Sequence, residues 1–171
     1  MKLSKSLFFV TLLAMLLYSC KDNTPTEPGD NGTGLVKTTI NGSISLNFKS
    51  TATFVVINLK VEPRDYPFML IIGYMGSKYE ISIEIFRNLD TCSVTLKSMA
   101  EAVNDSNGYA EFIAMVGKTD SRMFMSMSGA ASVTSVSGNR LKGTFQFTGV
   151  DYSDESQITV SQGIFDVPIT N

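Results

Sequence analysis

The chain has 171 residues and a formal net charge of −2, with 43% apolar and 18% charged residues. This length suits one domain with a hydrophobic core, and the near-neutral charge gives no electrostatic sign of nucleic-acid binding. Because the sequence contains no His, it lacks the most common general base and metal ligand, so we expect a non-enzymatic protein without a metal or a cofactor.

The N-terminus has the layout of a secretory signal peptide. Lys2 and Lys5 form a basic start, and residues 7–18 follow as an apolar run in which Thr11 is the only polar residue. As a helix this run would be about 18 Å long, whereas the core of a bilayer is about 30 Å thick. The run is therefore too short to span a membrane stably, and we interpret residues 1–19 as a cleaved signal peptide.

The sequence Leu-Tyr-Ser-Cys at residues 17–20 resembles a bacterial lipobox, in which an aliphatic, a variable and a small residue precede Cys. The resemblance implies that residues 1–19 are a lipoprotein signal peptide and that the thiol of Cys20 carries a diacylglyceryl group. A thiolate is the nucleophile that such an alkylation needs. One acyl chain binds a membrane only marginally and two or more bind it stably, so the two chains of the diacylglyceryl group, with the usual further acylation at the new amine, would make the anchor stable.

Residues 20–34 read CKDNTPTEPGDNGTG and contain two Pro, three Gly and no large apolar residue. This composition is typical of a flexible tether. Lys21 and Asp22 resemble the export signals of surface lipoproteins in Bacteroidota. We therefore expect a lipid anchor in the outer membrane, with the cell surface favoured over a periplasm-facing position.

Residues 35–171 are predicted to form a single all-β domain, because apolar and polar residues alternate with a period of two. Ile81, Ile83 and Ile85, for example, alternate with Ser82 and Glu84. About ten such runs, at near-regular spacing, predict an antiparallel β-sandwich or a flattened β-barrel. Further alternating residues are Ile44, Leu46, Phe48, Phe68, Leu70, Ile72, Tyr74, Met123, Met125, Met127, Phe145 and Phe147.

Turn residues separate the predicted strands. Asn41-Gly42 is a two-residue hairpin signal, and Gly76-Ser77 and residues 137–139 mark two more hairpins. Longer loops are predicted at residues 62–66, between Pro63 and Pro67, and at residues 149–156. The only predicted helix is one or two turns at residues 98–103.

The C-terminal third is similar to a family of small Bacteroidota lipoproteins that share a domain of unknown function. The similarity lies in the hairpin sequence of residues 129–148, with its G-T-F-x-F motif, and in the I-T-x-x-x-G-x-F-D strand within residues 157–167. Members also carry a lipobox, a polar tether and an early I-N-G turn, here residues 40–42. The resemblance implies an anchored all-β domain and assigns no catalytic residue. Gly143 and Gly163 suit bulges or close backbone approach.

Two groups of reactive side chains are interpreted as structural. Cys92 shares its strand face with Val94 and Leu96, and with no His to activate it we read it as a small buried residue. Glu80 and Glu84 share one strand face about 13 Å apart, which is too far for a glycosidase pair, so we expect a solvated face.

A third group, Asp151, Asp154 and Glu155, lies in one predicted loop. Its oxygen atoms suit Ca²⁺, but the spacing is not that of a known calcium loop. We therefore interpret these residues as a solvated loop and predict no metal site.

Two sets of residues are candidates for ligand binding. Met123, Met125 and Met127 share one face and are predicted to line the interior, where thioethers would suit an apolar ligand. Tyr66, Tyr109 and Tyr152 lie at or beside predicted loops and could bind a glycan. The leading hypothesis is a non-enzymatic, lipid-anchored binding or structural module; an apolar-ligand carrier and a glycan-binding surface module are the alternatives.

Overall fold

The computed structural model describes residues 34–50, 52–57 and 68–169. The predicted signal peptide, Cys20, the tether up to residue 33, the loop at 62–66 and Tyr66 lie outside the described residues. The described part of the chain forms ten β-strands and one short helix, which confirms the predicted all-β class. The elements are β1 (Leu35–Gly42), β2 (Leu46–Lys49), β3 (Ala52–Ile57), β4 (Met69–Met75), β5 (Tyr79–Ile85), β6 (Cys92–Leu96), α1 (Met99–Asp105), β7 (Gly108–Ala114), β8 (Arg122–Ser137), β9 (Arg140–Val150) and β10 (Gln157–Pro168).

All ten strands belong to one sheet in the order β2-β1-β10-β9-β8-β6-β7-β5-β4-β3. The two outermost strands, β2 and β3, are consecutive in the chain and only residues 50 and 51 separate them. The sheet also curls on itself, because β4 packs against β1: a Cβ added at Gly73 would lie 2.8 Å from the Cβ of Val36. The architecture is therefore a nearly closed, barrel-like sheet.

Two of the three predicted hairpins form at the predicted turns. Gly76 and Ser77 lie between β4 and β5, and residues 138–139 connect β8 to β9. The third differs, because Asn41 and Gly42 stay in β1 and pair with β10. In the hairpin from β1 to β2, Ile40 and Leu46 form the last strand pair, and the turn lies between them. Gly42 has a φ of +123°, and a Cβ there would contact the backbone of β10. The glycine thus serves the close approach of two strands.

The inner face of the sheet is the hydrophobic core. Aromatic side chains fill its centre: Phe112 packs between Tyr79 and Phe124 at ring-centroid distances of 6.0 and 6.1 Å. Glycines pair with aromatic residues in the C-terminal strands, where Phe165 covers Gly143. The fully or almost fully buried core residues include Val36, Ile40, Phe48, Met69, Ile71, Ile81, Ile83, Ile85, Leu96, Phe145, Phe147, Ile158, Val160 and Val167.

The helix α1 interrupts what would otherwise be one long strand. β6 pairs with residues 129–133 of β8, and β7 pairs with residues 122–125 of the same strand. β6 and β7 therefore lie one after the other along β8. Ser126 lies at the interruption and is fully buried. Its Oγ accepts a hydrogen bond from the backbone N–H of Ala110 at 3.0 Å and donates one to the carbonyl of Lys97 at 2.7 Å. One hydroxyl thus replaces the missing part of the ladder.

The prediction that three methionines line the interior is wrong. In β8 the buried residues are Phe124 and Ser126, while Met123 and Met125 are half-buried and Met127 is exposed. Successive side chains of a strand point to opposite faces, so the inward position of Phe124 turns its Met neighbours outward. The sequence was ambiguous here because both parities of this strand contain large apolar residues.

Candidate ligand-binding face

The strand register gathers polar and soft apolar side chains on the outer face of β5, β7 and β8. Ser82 lies directly across from Glu111, and Glu111 lies across from Met125. Glu84 lies across from Tyr109. Glu111 is therefore a diagonal neighbour of Glu84, close enough for long side chains to interact. We call this surface the acid face, and it consists of Glu80, Ser82, Glu84, Tyr109, Glu111, Met123 and Met125.

The carboxyl groups of the acid face are buried. Glu80, Glu84 and Glu111 are 7%, 8% and 8% exposed. The expectation of a solvated face for the first two is therefore wrong. Alternation identified correctly which side chains share a face, but it cannot show that this second face is also removed from water.

Burial changes the acidity of all three groups. Burial and the nearby Glu111 carboxyl raise the pKa of Glu80 to about 7, although a hydrogen bond from Tyr74 lowers it. The same two causes raise the pKa of Glu84 to about 8. Burial also raises the pKa of Glu111, and Tyr109 and Ser82 partly offset this. With pKa values of about 7 and about 8, Glu80 and Glu84 still hold their protons, wholly or in part, near neutral pH.

Two hydroxyl groups complete the acid face. The Tyr109 hydroxyl donates to Oε2 of Glu111 at 3.1 Å, and burial and Glu111 raise the pKa of Tyr109, so it remains a donor. Ser82 is 3% exposed and lies across from Glu111, and a hydrogen bond from its hydroxyl helps to lower the pKa of that carboxyl. Among residues 34–50, 52–57 and 68–169, none forms a salt bridge with Glu80, Glu84 or Glu111.

The loop between β9 and β10 borders the acid face. Tyr152 is 57% exposed and its hydroxyl donates to Sδ of Met127 at 2.8 Å; Met127 is itself 47% exposed. Tyr152 also lies close enough to raise the pKa of Tyr109 electrostatically. An exposed aromatic ring and an exposed thioether thus lie on the Tyr109 side of the acid face.

Arg122 holds this loop in place. Its Nε donates to Asp151 at 3.2 Å, and its Nη2 donates to Asp154 at 2.8 Å and to Ser156. The guanidinium also lies 4.9 Å from the ring centroid of Phe124, a cation–π distance. The prediction of a wholly solvated loop is wrong for Asp151, which is 5% exposed and bound to Arg122.

The predicted ligand residues fall into three groups. Tyr109, Met123 and Met125 belong to the acid face, and Tyr152 and Met127 form its exposed border. Cys20 and Tyr66 lie outside the described residues.

Cys92 is half-buried at the edge of the core, and burial raises the pKa of its thiol. Among the residues that the structure describes, no group of three or more His, Cys, Asp or Glu could hold a metal ion.

Sequence reasoning missed Glu111 and Ser82 as members of the site. Glu111 occupies an outward position of β7, and its only signal was a carboxylate within the apolar stretch at residues 108–114. Such a lone Glu becomes informative once the register places it opposite Ser82.

Comparison of the chain with protein-family models, curated proteins and solved structures finds no match. Within the described ranges, none of the helices has the length and apolar character needed to cross a membrane. The fold and the acid face are therefore the basis for any functional proposal.

Proposed function

We propose that this protein is a lipid-anchored envelope lipoprotein whose barrel-like domain is a non-enzymatic binding module. The lipid on Cys20 attaches it to the outer membrane, the tether spaces the domain from the bilayer, and the acid face with its Tyr152–Met127 border receives the ligand. The observation that carries the binding role is the gathering of Tyr109, Glu111 and Met125 on the outer side of the sheet. The core occupies the inner side.

The chemistry of the border supports binding. Tyr152 and Met127 offer an aromatic and a polarizable surface, both of which serve adaptable recognition. Because Arg122 fixes the loop at Asp151 and Asp154, this border is held in position before a ligand arrives. A preformed surface loses less conformational entropy on binding.

The anchor is tested by Cys20→Ala. We expect this change to abolish incorporation of labelled palmitate and to leave the precursor uncleaved before residue 20. Cys92→Ala, which removes the other thiol, is the matched control and should keep the label. Palmitate label retained in Cys20→Ala would overturn the proposal that Cys20 carries the lipid anchor.

The side of the membrane is tested on intact cells. If Lys21 and Asp22 direct export, externally added protease should degrade the protein, and replacing both residues with Ala should protect it. Protection of both forms would place the domain on the periplasmic side.

The absence of catalysis is also open to test. A hydrolase that uses carboxyl groups alone would need Glu84 and Glu111, which are diagonal neighbours. We expect no turnover of glycoside or ester substrates. Turnover that is lost in both Glu84→Gln and Glu111→Gln would overturn the non-enzymatic proposal.

A further inference from the structure

Charge is segregated among the strands of the barrel-like sheet. β5 and β7 contain the carboxyl groups of the acid face and no Lys or Arg, whereas the four adjacent strands β2, β1, β10 and β9 contain four basic residues and one carboxylate. The chain as a whole has a net charge of −2, so this positive region arises from the fold and not from the composition. We call it the basic face, and it consists of Lys37, Lys49, Arg140, Lys142, Ile164 and Asp166.

Lys37 and Lys49 carry positive charge that the fold does not compensate. Both are exposed, and they lie directly across from each other in the ladder of β1 and β2, where like charges repel. Within residues 34–50, 52–57 and 68–169, neither lysine has a salt-bridge partner. An anion held between these two strands would relieve the repulsion.

Asp166 does not neutralise the basic face, because two other cations already share it. Nε of Arg140 donates to Oδ1 of Asp166 at 2.6 Å, and Nζ of Lys142 lies 2.9 Å from Oδ2. One carboxylate between two cations leaves an excess of positive charge, to which Lys37 and Lys49 add.

The chain enters the domain at the basic face. Leu35 pairs with Asp166, and Lys37 lies on the same side of β1 two residues farther on. Only residues 20–34 separate this point from Cys20. The composition predicts a flexible tether, whose fifteen residues would have a root-mean-square length of about 20 Å. A lipid on Cys20 therefore keeps this face within reach of the headgroups.

Ile164 adds an apolar contact to the basic face. It lies between Lys37 of β1 and Thr144 of β9 and is 42% exposed. Surfaces that lie on membranes combine apolar side chains, which enter the boundary between headgroups and acyl chains, with basic side chains that bind anionic headgroups. An exposed isoleucine beside uncompensated lysines has this combination.

We infer that the basic face docks on the membrane that holds the lipid anchor, by binding anionic lipid headgroups. The tether sets the greatest distance of the domain from the bilayer, and the basic face brings the domain back to the surface. The acid face lies on β5, β7 and β8, which do not contribute to the basic face, so it remains accessible to a ligand. The inference rests on the proposed anchor and adds the orientation of the domain.

The test uses the lipidated protein reconstituted in two kinds of vesicle. One kind contains phosphatidylcholine only, the other phosphatidylcholine and phosphatidylglycerol in equal amounts, and both carry a spin label on some headgroups. A fluorophore is attached to Thr144→Cys on β9 or, as the control position, to Asn104→Cys on α1, each exposed and each in a Cys92→Ala background. We expect strong quenching at residue 144 in the anionic vesicles only, and little at residue 104 in either.

Charge variants locate the docking surface. Lys37→Gln and Lys49→Gln should each lower the ratio of docked to undocked protein about fivefold, which is the contribution of one basic residue near an anionic membrane. Lys118→Gln, which removes an exposed lysine from the loop between β7 and β8, is the matched control and should dock like the unaltered protein. Circular dichroism checks that each variant is folded. In about 1 M salt, where the Debye length is about 3 Å, quenching at residue 144 should fall to its level in neutral vesicles.

Three results would overturn the docking inference. They are absence of quenching at residue 144 in the anionic vesicles, equal quenching at residues 144 and 104, and quenching at residue 144 that neither salt nor the Lys37 and Lys49 variants reduce. Palmitate labelling judges the anchor separately. A labelled protein without quenching at residue 144 refutes docking alone, whereas an unlabelled protein refutes the anchor and docking together.

Discussion

The two faces of β5 bury opposite chemistries within seven residues. Ile81, Ile83 and Ile85 point into the core and are fully buried. Glu80 and Glu84, on the other face, are almost as deeply buried. Removing the isoleucines from water stabilises the fold, whereas removing the carboxyl groups costs free energy unless they keep a proton or gain a partner. Equal burial therefore stabilises the fold on the isoleucine face and destabilises it on the glutamate face. The glutamate face is the better candidate for function.

The largest expected effect is on the inner face. Phe147 is 2% exposed in the core, and Phe147→Ala should lower the free energy of unfolding by about 3–5 kcal/mol through lost burial and the resulting cavity. Met125→Leu on the outer face nearly conserves volume and should cost less than about 1.5 kcal/mol. Denaturant unfolding of both variants measures the difference. Equal, small losses would mean that the inner face is not a packed core.

Glu84→Gln sharpens the comparison from the outer face. The folded-state pKa of Glu84 is about 8 and its ordinary value is 4.5, so the folded chain holds a proton that the unfolded chain has lost between these limits. Stability should therefore fall as the pH rises through this range, and the variant should lose the part of that slope that Glu84 causes, while Glu80 and Glu111 keep theirs. We expect Glu84→Gln to raise the free energy of unfolding by about 2 kcal/mol or more near the upper end of this pH range, and to change it hardly at all below the lower end. Thermal melts across this range measure the gain. A variant that is less stable at every pH would contradict the unfavourable burial of Glu84.

Ser126→Ala tests a polar group that the fold does satisfy. The variant loses the hydrogen bonds to Ala110 and Lys97 and leaves a buried N–H unpaired, so it should cost about 1–3 kcal/mol. Hydrogen exchange should show the Ala110 amide opening faster. Ser128→Ala, an exposed serine in the same strand, is the control. An unchanged exchange rate at Ala110 would show that the ladder does not need this hydroxyl.

Asp151→Asn should change the free energy of unfolding by a smaller amount, and its dependence on pH should be opposite to that of Glu84→Gln. Burial would raise the pKa of Asp151, but its bonds to Ser153 and Arg122 outweigh this and lower it. Its contribution is therefore present above the ordinary value of 3.8 and is lost as the pH falls through the folded-state pKa. We expect a loss of about 1–2 kcal/mol at neutral pH that disappears in acid. A loss that persists in acid would show that packing, not charge, anchors the loop.

Much of the fold was predictable, but less of the site was. The period of two predicted the strands, and turn residues predicted two of the three hairpins, because both reflect local geometry. Glu80 and Glu84 were correctly assigned to one face, yet their burial depends on neighbours distant in sequence. Glu111 joins them only through the pairing of β5 with β7. Likewise, Arg122 and Asp151 are 29 residues apart, and no local pattern connects them.

The pairing of β1 also determines how the domain would respond to force. β1 is held by β2 on one side and by β10 on the other, and Leu35 pairs with Asp166 near the end of the last strand. A pull on residue 34 along the strand axis would load both ladders in shear, so many hydrogen bonds would have to break together. The domain would then resist extraction by its N-terminal end far better than peeling from β3, whose only strand partner among the described residues is β4.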